Sequence, residues 1–230
     1  KPKGVKVLHI NTCSMFDSAM EHFQPTSDDV MSVYSSFSFD LSVYETFGAL
    51  TYGGRAVIIP REVSMSLEAF WGVVKDEGVS VIWCTPLVFE HFDQADKRLS
   101  TNADDIARLR LVVFAGDKLE PASLRGWFQR HGTRVRLVNT YGTTETTVFS
   151  TIRWMTPHDC DSPLSPFGFC LDNSRLLVLN EDQEPVPPGV PFVEALPWVA
   201  ACTIETHLRR MRTARVQSGS APRCTAAQPC

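Results

Sequence analysis

Apolar positions in the middle of the chain switch between two periods. "GRAVIIP" at 54–60 is a short β-branched run closed by proline. "VSVIWC" at 79–84 and "LRLVVFAG" at 109–116 are continuous apolar runs of the kind that fill buried strands, and "RVRLV" at 134–138 adds another. Helical stripes lie between them. In "SMSLEAFWGVVKDEG" (64–78) the apolar residues 67, 70, 71 and 74 share one face, and Gly78 ends the run. Thr85-Pro86 opens a second helix, and "EPASLRGWFQRHG" (120–132) carries proline in its first turn and glycine at its end. Strands alternating with helices predict βαβ units: an α/β fold, its mainly parallel sheet between residues 54 and 138 and flanked by helices on both faces. Ligands of such sheets sit beyond the carboxyl ends of the strands, where "FAGDK" (114–118) and "NTYGTTETT" (139–147) fall.

Upstream, "FSFDLSVYETFGAL" (37–50) reads as the start of a helix that Gly53 and Gly54 end. Ser42 and Glu45 have capping-box spacing: the hydroxyl takes the N–H of Glu45 and the carboxylate reaches back. Asp40 is then left without a local task between Phe39 and Leu41, unless Asp40 itself caps the helix with Ser42 in the first turn.

The 139–147 loop combines an aromatic ring, a close-approach glycine, hydroxyl donors and one acid. Those parts suit a nucleotide with Mg²⁺, which prefers oxygen ligands. A polar surface turn leading into a strand "TVFSTI" fits them equally well. No GxxxxGK[ST] or GxGxxG stretch accompanies the loop.

Composition narrows the classes. A chain of 230 residues with 43% apolar content can bury a real core. No run of 18 apolar residues is present, and no charged-then-apolar leader precedes "KPKGV", which reads as the middle of something. Seven cysteines without close CxxC pairs speak against a disulfide framework or a zinc site, and we expect a reducing compartment, the cytosol. A net charge of −4 offers no basic footprint for nucleic acid. From Phe192 onward five arginines face Glu194 and Glu205, a balance of +3 that leaves −7 on the first 191 residues. That end of the chain has no sustained period and holds three of the seven cysteines, so a boundary is expected near Pro191 with an irregular, disordered tail over 192–230.

Four stretches, in order, resemble the adenylate-forming enzymes, and in particular the amino-acid adenylation domains of nonribosomal peptide synthetases. "KPKGV" is similar to the close of their phosphate loop, TSGTTGxPKGV; "FDLSVYETFGALTYGG" to FDxSVxE; "NTYGTTE" to NxYGPTE; and "PFGFCLDNSRLLVLNEDQEPVPPGVP" to the approach to GELxxxG. The resemblance covers residues 1 to about 191 and implies part of the large N-terminal domain of such an enzyme. It implies activation of an amino acid by Mg·ATP to an aminoacyl adenylate, then transfer to the phosphopantetheine thiol of a carrier domain, beside condensation domains of a parent synthetase. It gives Asp40 a task, holding the substrate's α-ammonium group; a buried carboxylate needs such a cation. It places Tyr141 on adenine with Gly116, Asn139 and Gly142 around the nucleotide, Thr144 on the α-phosphate as a catalytic donor, and Glu145 on Mg²⁺. Leu41, Tyr44, Trp83, Val113, Ala115, Thr140, Val148 and Phe149 match the lining of the amino-acid pocket, although each is also compatible with plain core.

The departures are as informative. Thr143 replaces the proline of YGPTE, Ser35 stands where many members have histidine, and His9 in "KVLHIN", on what reads as an apolar strand, is assigned no chemistry. After Pro191 "FVEALPWVAAC" replaces the GEL motif, which suggests a shifted frame or misjoined exon. The early phosphate loop, the ribose-binding acid and the catalytic lysine have no counterpart, so the isolated chain is expected to be inactive. Two other readings stand: a fragment of an acyl-CoA or aryl-acid ligase, which would not need Asp40, and a non-catalytic nucleotide-binding remnant.

Overall fold

The computed structural model describes residues 4–64, 66–102, 104–172 and 174; the tail expected over 192–230 lies outside them. In chain order the elements are α1 (His9–Phe23), β1 (Val30–Val33), α2 (Leu41–Thr51), β2 (Arg55–Ile58), α3 (Arg61–Ser64), α4 (Leu67–Asp76), β3 (Val81–Cys84) and α5 (Pro86–Leu99). There follow β4 (Leu111–Phe114), a 3₁₀ turn at Pro121–Leu124, α6 (Arg125–His131), β5 (Arg136–Tyr141), a 3₁₀ turn at Thr144–Thr146, β6 (Thr151–Trp154), a 3₁₀ turn at Pro157–Asp161 and β7 (Phe169–Cys170).

The seven strands make one sheet in the order β2-β1-β3-β4-β5-β6-β7. The first five are mutually parallel, and β6 and β7 add antiparallel at one edge. Each helical crossover returns the chain to the same end of the sheet, as parallel pairing requires. The register aligns Trp83, Val113 and Val138 across β3, β4 and β5, and aligns Cys84, Phe114 and Asn139 one residue on. Successive side chains point to opposite faces. Val81, Trp83, Leu111, Val113 and Val138 therefore pack on α1 and α2, whereas Ile82, Cys84, Val112, Phe114 and Leu137 pack on α4, α5 and α6.

Local signals set the helix ends. Ser66 accepts the N–H of Ala69 and Thr85 that of Val88 (both 3.4 Å), and Pro86 begins α5. Beyond α2 the N–H groups of Gly53 and Gly54 donate to Leu50 and Ala49, and Gly53 takes a φ of 76°.

The structure corrects three expectations. The sheet runs from Val30 to Cys170, not from 54 to 138, because β1, β6 and β7 join it. β1 escapes notice because "VMSV" is only four residues long, too short for periodicity to show. His9 opens α1 rather than lying on a strand, and its ring nitrogen meets Cys13 at 3.5 Å one turn on. The run "TVFSTI" is not strand throughout: Thr147 and Val148 are left-handed (φ 67° and 69°), and β6 starts at Thr151.

Candidate functional site

Asp40 occupies the N-cap position of α2, yet its side chain makes no cap bond. The expected capping box does not form. Ser42 lies inside the helix and donates its hydroxyl to the carbonyl of Phe39 (2.7 Å), and Glu45 turns away from the helix end. Its carboxylate, 0% exposed, accepts from the N–H groups of Tyr34 (3.2 Å) and Ser35 (2.9 Å) and from the Ser35 hydroxyl (2.9 Å). Three acceptable donors beyond the end of β1 outweigh one cap N–H. Burial pushes the Glu45 carboxyl up to about 7, against the bonds from Ser35 and Tyr34 that favour its ionised form. Glu45 thus ties α2 to the segment that leads from β1 into Asp40. Asp40 Oδ2 is left buried with no hydrogen-bond partner among the described residues. A carboxylate oxygen in that state is costly unless a donor arrives from outside.

One turn from Asp40, Tyr44 enters a cluster of rings. Tyr44 lies 4.4 Å from Trp83 and 5.6 Å from Phe149, and Trp83 lies 5.3 Å from Phe149, centroid to centroid. Val113 and Ala115 complete the same buried cluster, with Leu41 and Val148 packed at its edge. Thr140 stands at the carboxyl end of β5, but its hydroxyl is committed to the Phe114 carbonyl (2.7 Å). Two members escape the sequence: Phe16 stacks on Tyr44 at 5.0 Å, and Phe23 meets Tyr44, Trp83 and Phe149. Their only signal is the spacing of Phe16, Ala19 and Phe23 along α1, a helix otherwise rich in weak helix formers.

The second group of residues follows the adjacent strands β4 and β5. Asn139 donates from its amide to the Pro166 carbonyl (2.9 Å), which fixes the side chain's orientation. Tyr141 ends β5, a residue 39% exposed whose ring is set edge-on to Phe167. Gly116 takes a φ of 89°, and a Cβ built there meets nothing nearer than Thr85 Cγ2 at 3.6 Å, so the backbone is open to close approach. Gly142 differs. A Cβ there would strike the Phe149 backbone and the Val148 carbonyl oxygen (2.6 Å), so this glycine admits the chain's own return loop. Thr144 and Glu145 present exposed side chains on the 3₁₀ turn that Thr146 closes through Thr143. Left-handed Thr147 and Val148 then turn the chain so that Phe149 enters the ring cluster; β-branched residues adopt that conformation at a cost.

At the opposite, amino ends of the strands, Asp29, Ser80 and Arg110 close a polar clip. Burial raises the Asp29 carboxyl, but bonds from Arg110, Ser80 and Thr26 outweigh it and hold it at about 2. The concavity there, lined also by Arg108 and Arg136, contains none of the candidate residues.

A family model for AMP-binding enzymes matches residues 1–191. The chain belongs to the AMP-binding enzyme family. Among curated relatives, malpinin synthetase of Mortierella alpina is 39% identical over 191 residues, 83% of this chain but 2% of that protein. A dimodular nonribosomal peptide synthase of Bacillus subtilis (strain 168) is also 39% identical over 191 residues, 82% of this chain and 8% of its own length. This AMP-binding chain therefore spans a small part of the relatives it matches. The adenylation domain AlmE of Vibrio cholerae, solved in complex with glycyl-adenosine-5′-phosphate, superposes with a TM-score of 0.69 at 26% identity, covering 81% of this chain and 35% of that one. The α/β fold expected from the sequence is that of these adenylation domains.

The residues present fit an adenine nucleotide in three observable respects: the open backbone at Gly116, the accessible ring of Tyr141, and the exposed hydroxyl and carboxylate of Thr144 and Glu145. Among the described residues no group of three His, Cys, Asp or Glu side chains could hold a metal by itself.

Proposed function

We propose that this chain is the amino-acid- and nucleotide-binding part of an adenylation domain in a longer synthetase. Its substrates are an amino acid and ATP, and the products are an aminoacyl adenylate and pyrophosphate. The observation that carries this is Asp40: a buried carboxylate oxygen without a hydrogen-bond partner among the described residues, at a helix start, one turn from an apolar cluster. An α-ammonium group supplies three donors and the missing charge. A fatty or aryl acid supplies neither.

With the ammonium on Asp40, the substrate carboxylate is the nucleophile and attacks the α-phosphorus; the bond to the pyrophosphate oxygen breaks. Tyr141, Gly116 and Asn139 hold the base, and Gly142 shapes the loop that presents Thr144 to the α-phosphate and Glu145 to Mg²⁺. The ion, when bound, neutralises charge on the phosphates. Catalysis at such a site is orientation and charge stabilisation. Transfer of the acyl group to a phosphopantetheine thiol follows, with carrier and condensation domains as partners and the cytoplasm as the compartment. No helix among the described residues is long and apolar enough to cross a membrane.

The test uses two non-hydrolysable analogues, glycyl sulfamoyl adenosine and its acetyl counterpart, which lacks the amino group. The glycyl compound should bind about 10–100-fold more tightly, the value of a hydrogen bond to a charged group, and Asp40→Asn should remove most of that difference. Equal binding of the two compounds to the unaltered chain would exclude the ammonium role.

A further inference from the structure

Three rings of the cluster that begins one turn along from Asp40 come from separate elements and pack on one another. Trp83 (0% exposed) stands on the central strand β3, Tyr44 (1%) on α2 and Phe149 (1%) on the return after β5. Each touches both of the others, and Phe16 and Phe23 of α1 back them. Phe149 cannot withdraw easily: its backbone lies against Gly142, where even a methyl group has no room, and the left-handed Thr147 and Val148 aim it inward. Trp83 is fully buried in the same cluster, with Val113 as its register partner on β4. A close-packed interior of this kind resists enlargement by even one methylene.

We propose that the site takes an amino acid whose side chain is no larger than a methyl group, glycine or alanine, and that Tyr44, Trp83 and Phe149 set this limit. The inference rests on Asp40 as the ammonium partner. An ammonium group held there brings the substrate's Cα within two bonds of the carboxylate, beside the first turn of α2. The substrate side chain then meets the face formed by Tyr44, which shares that side of the helix with Asp40 at a spacing of four residues. Behind these rings stand Phe16, stacked on Tyr44, and Phe23, which meets all three.

The experiment measures binding of glycyl, alanyl, leucyl and phenylalanyl sulfamoyl adenosines to the 230-residue chain, with the acetyl compound as reference. Glycyl and alanyl compounds should bind within a few-fold of each other. Leucyl and phenylalanyl should fall by at least about 10-fold, the smallest penalty typical of one mismatched methylene. Leucyl or phenylalanyl binding as tight as glycyl would overturn the size limit while leaving the Asp40 reading intact. A glycyl compound no better than acetyl would overturn the Asp40 reading and the limit with it. Trp83→Leu, checked for folding by its circular dichroism, should shift the preference toward leucyl. If that variant does not fold, the ranking of the four compounds on the unaltered chain still decides.

Discussion

Glu45 is a residue whose environment changes its chemistry in the physiological pH range. It has no cation beside it, only three donors from Tyr34 and Ser35, and burial lifts its carboxyl from 4.5 to about 7. The folded protein therefore holds a proton there more tightly than the unfolded chain does. Its stabilising contribution is complete below about 4.5 and is lost as pH rises through about 7. The size of the loss is on the order of 3 kcal/mol. Asp29 acts in the other sense at the far end of β1: held at about 2, it contributes stability above the ordinary carboxylate value, lost only as pH falls through about 2. The two windows do not overlap. Glu45→Gln keeps the shape and an acceptor oxygen but cannot ionise, so urea denaturation of the variant should lack the decline in stability between pH 5 and 8 that the natural chain shows, on the order of 3 kcal/mol. Parallel pH profiles for both proteins would show that Glu45 is not buried as described.

On the other face of the sheet one acid reaches three helices. Asp96 of α5 accepts from the Trp71 indole N–H of α4 (3.2 Å), and from Arg130 (3.3 Å) and His131 (2.8 Å) of α6. Asp93, one turn earlier, takes Arg130 and Lys97. Burial raises the Asp96 carboxyl, and the bonds from His131 and Trp71 with the charge of Arg130 bring it below its usual range. Asp96→Ala would leave a buried indole N–H and a guanidinium short of partners, a loss of about 3 kcal/mol that a urea midpoint detects; a loss below about 1 kcal/mol would mean that the three helices are held by apolar packing alone. None of this network shows in the sequence, because Asp93, Asp96 and Arg130 look like ordinary solvated positions on amphipathic helices. The helices themselves were legible: Leu67, Phe70, Trp71 and Val74 write a stripe, and Pro86 marks a start. So were β3, β4 and most of β5, since strands buried on both faces must be apolar throughout. β1 was not, being four residues long, nor was α1, whose Asn, Thr, Cys and Ser carry weak helical preference. At the site, Asp40 could be singled out because an acid between Phe39 and Leu41 has no local use. Glu45 could not be read correctly, because capping-box spacing with Ser42 is real in the sequence, and only the approach of Ser35 shows where the carboxylate goes.

The whole molecule shows an asymmetry of charge and kinship. The family match ends at residue 191, and the residues beyond it carry +3 against −7 for the matched part. We expect the division at Pro191 to be a functional one as well. A polypeptide of residues 1–191 should melt at the temperature of the 230-residue chain and bind glycyl sulfamoyl adenosine equally well. Calorimetry on the two proteins side by side tests this, and a drop in melting temperature beyond about 4 °C, roughly 1 kcal/mol or more for a chain of this size, would show that residues 192–230 contribute to the fold. Binding and turnover should nevertheless part company. Phosphates are held by successive backbone N–H groups and hydroxyls, and of the phosphate loop that the resemblance implies, the 230-residue polypeptide carries only the closing "KPKG". Losing one preorganised donor to a developing charge typically costs about 10²–10³ in rate, and losing several costs more, though not additively. Pyrophosphate exchange by the 230-residue polypeptide with glycine or alanine should therefore stay near background while the analogue binds. Robust Mg²⁺-dependent exchange would mean that Thr144, Glu145 and the residues around them stabilise the transferring phosphorus without the loop.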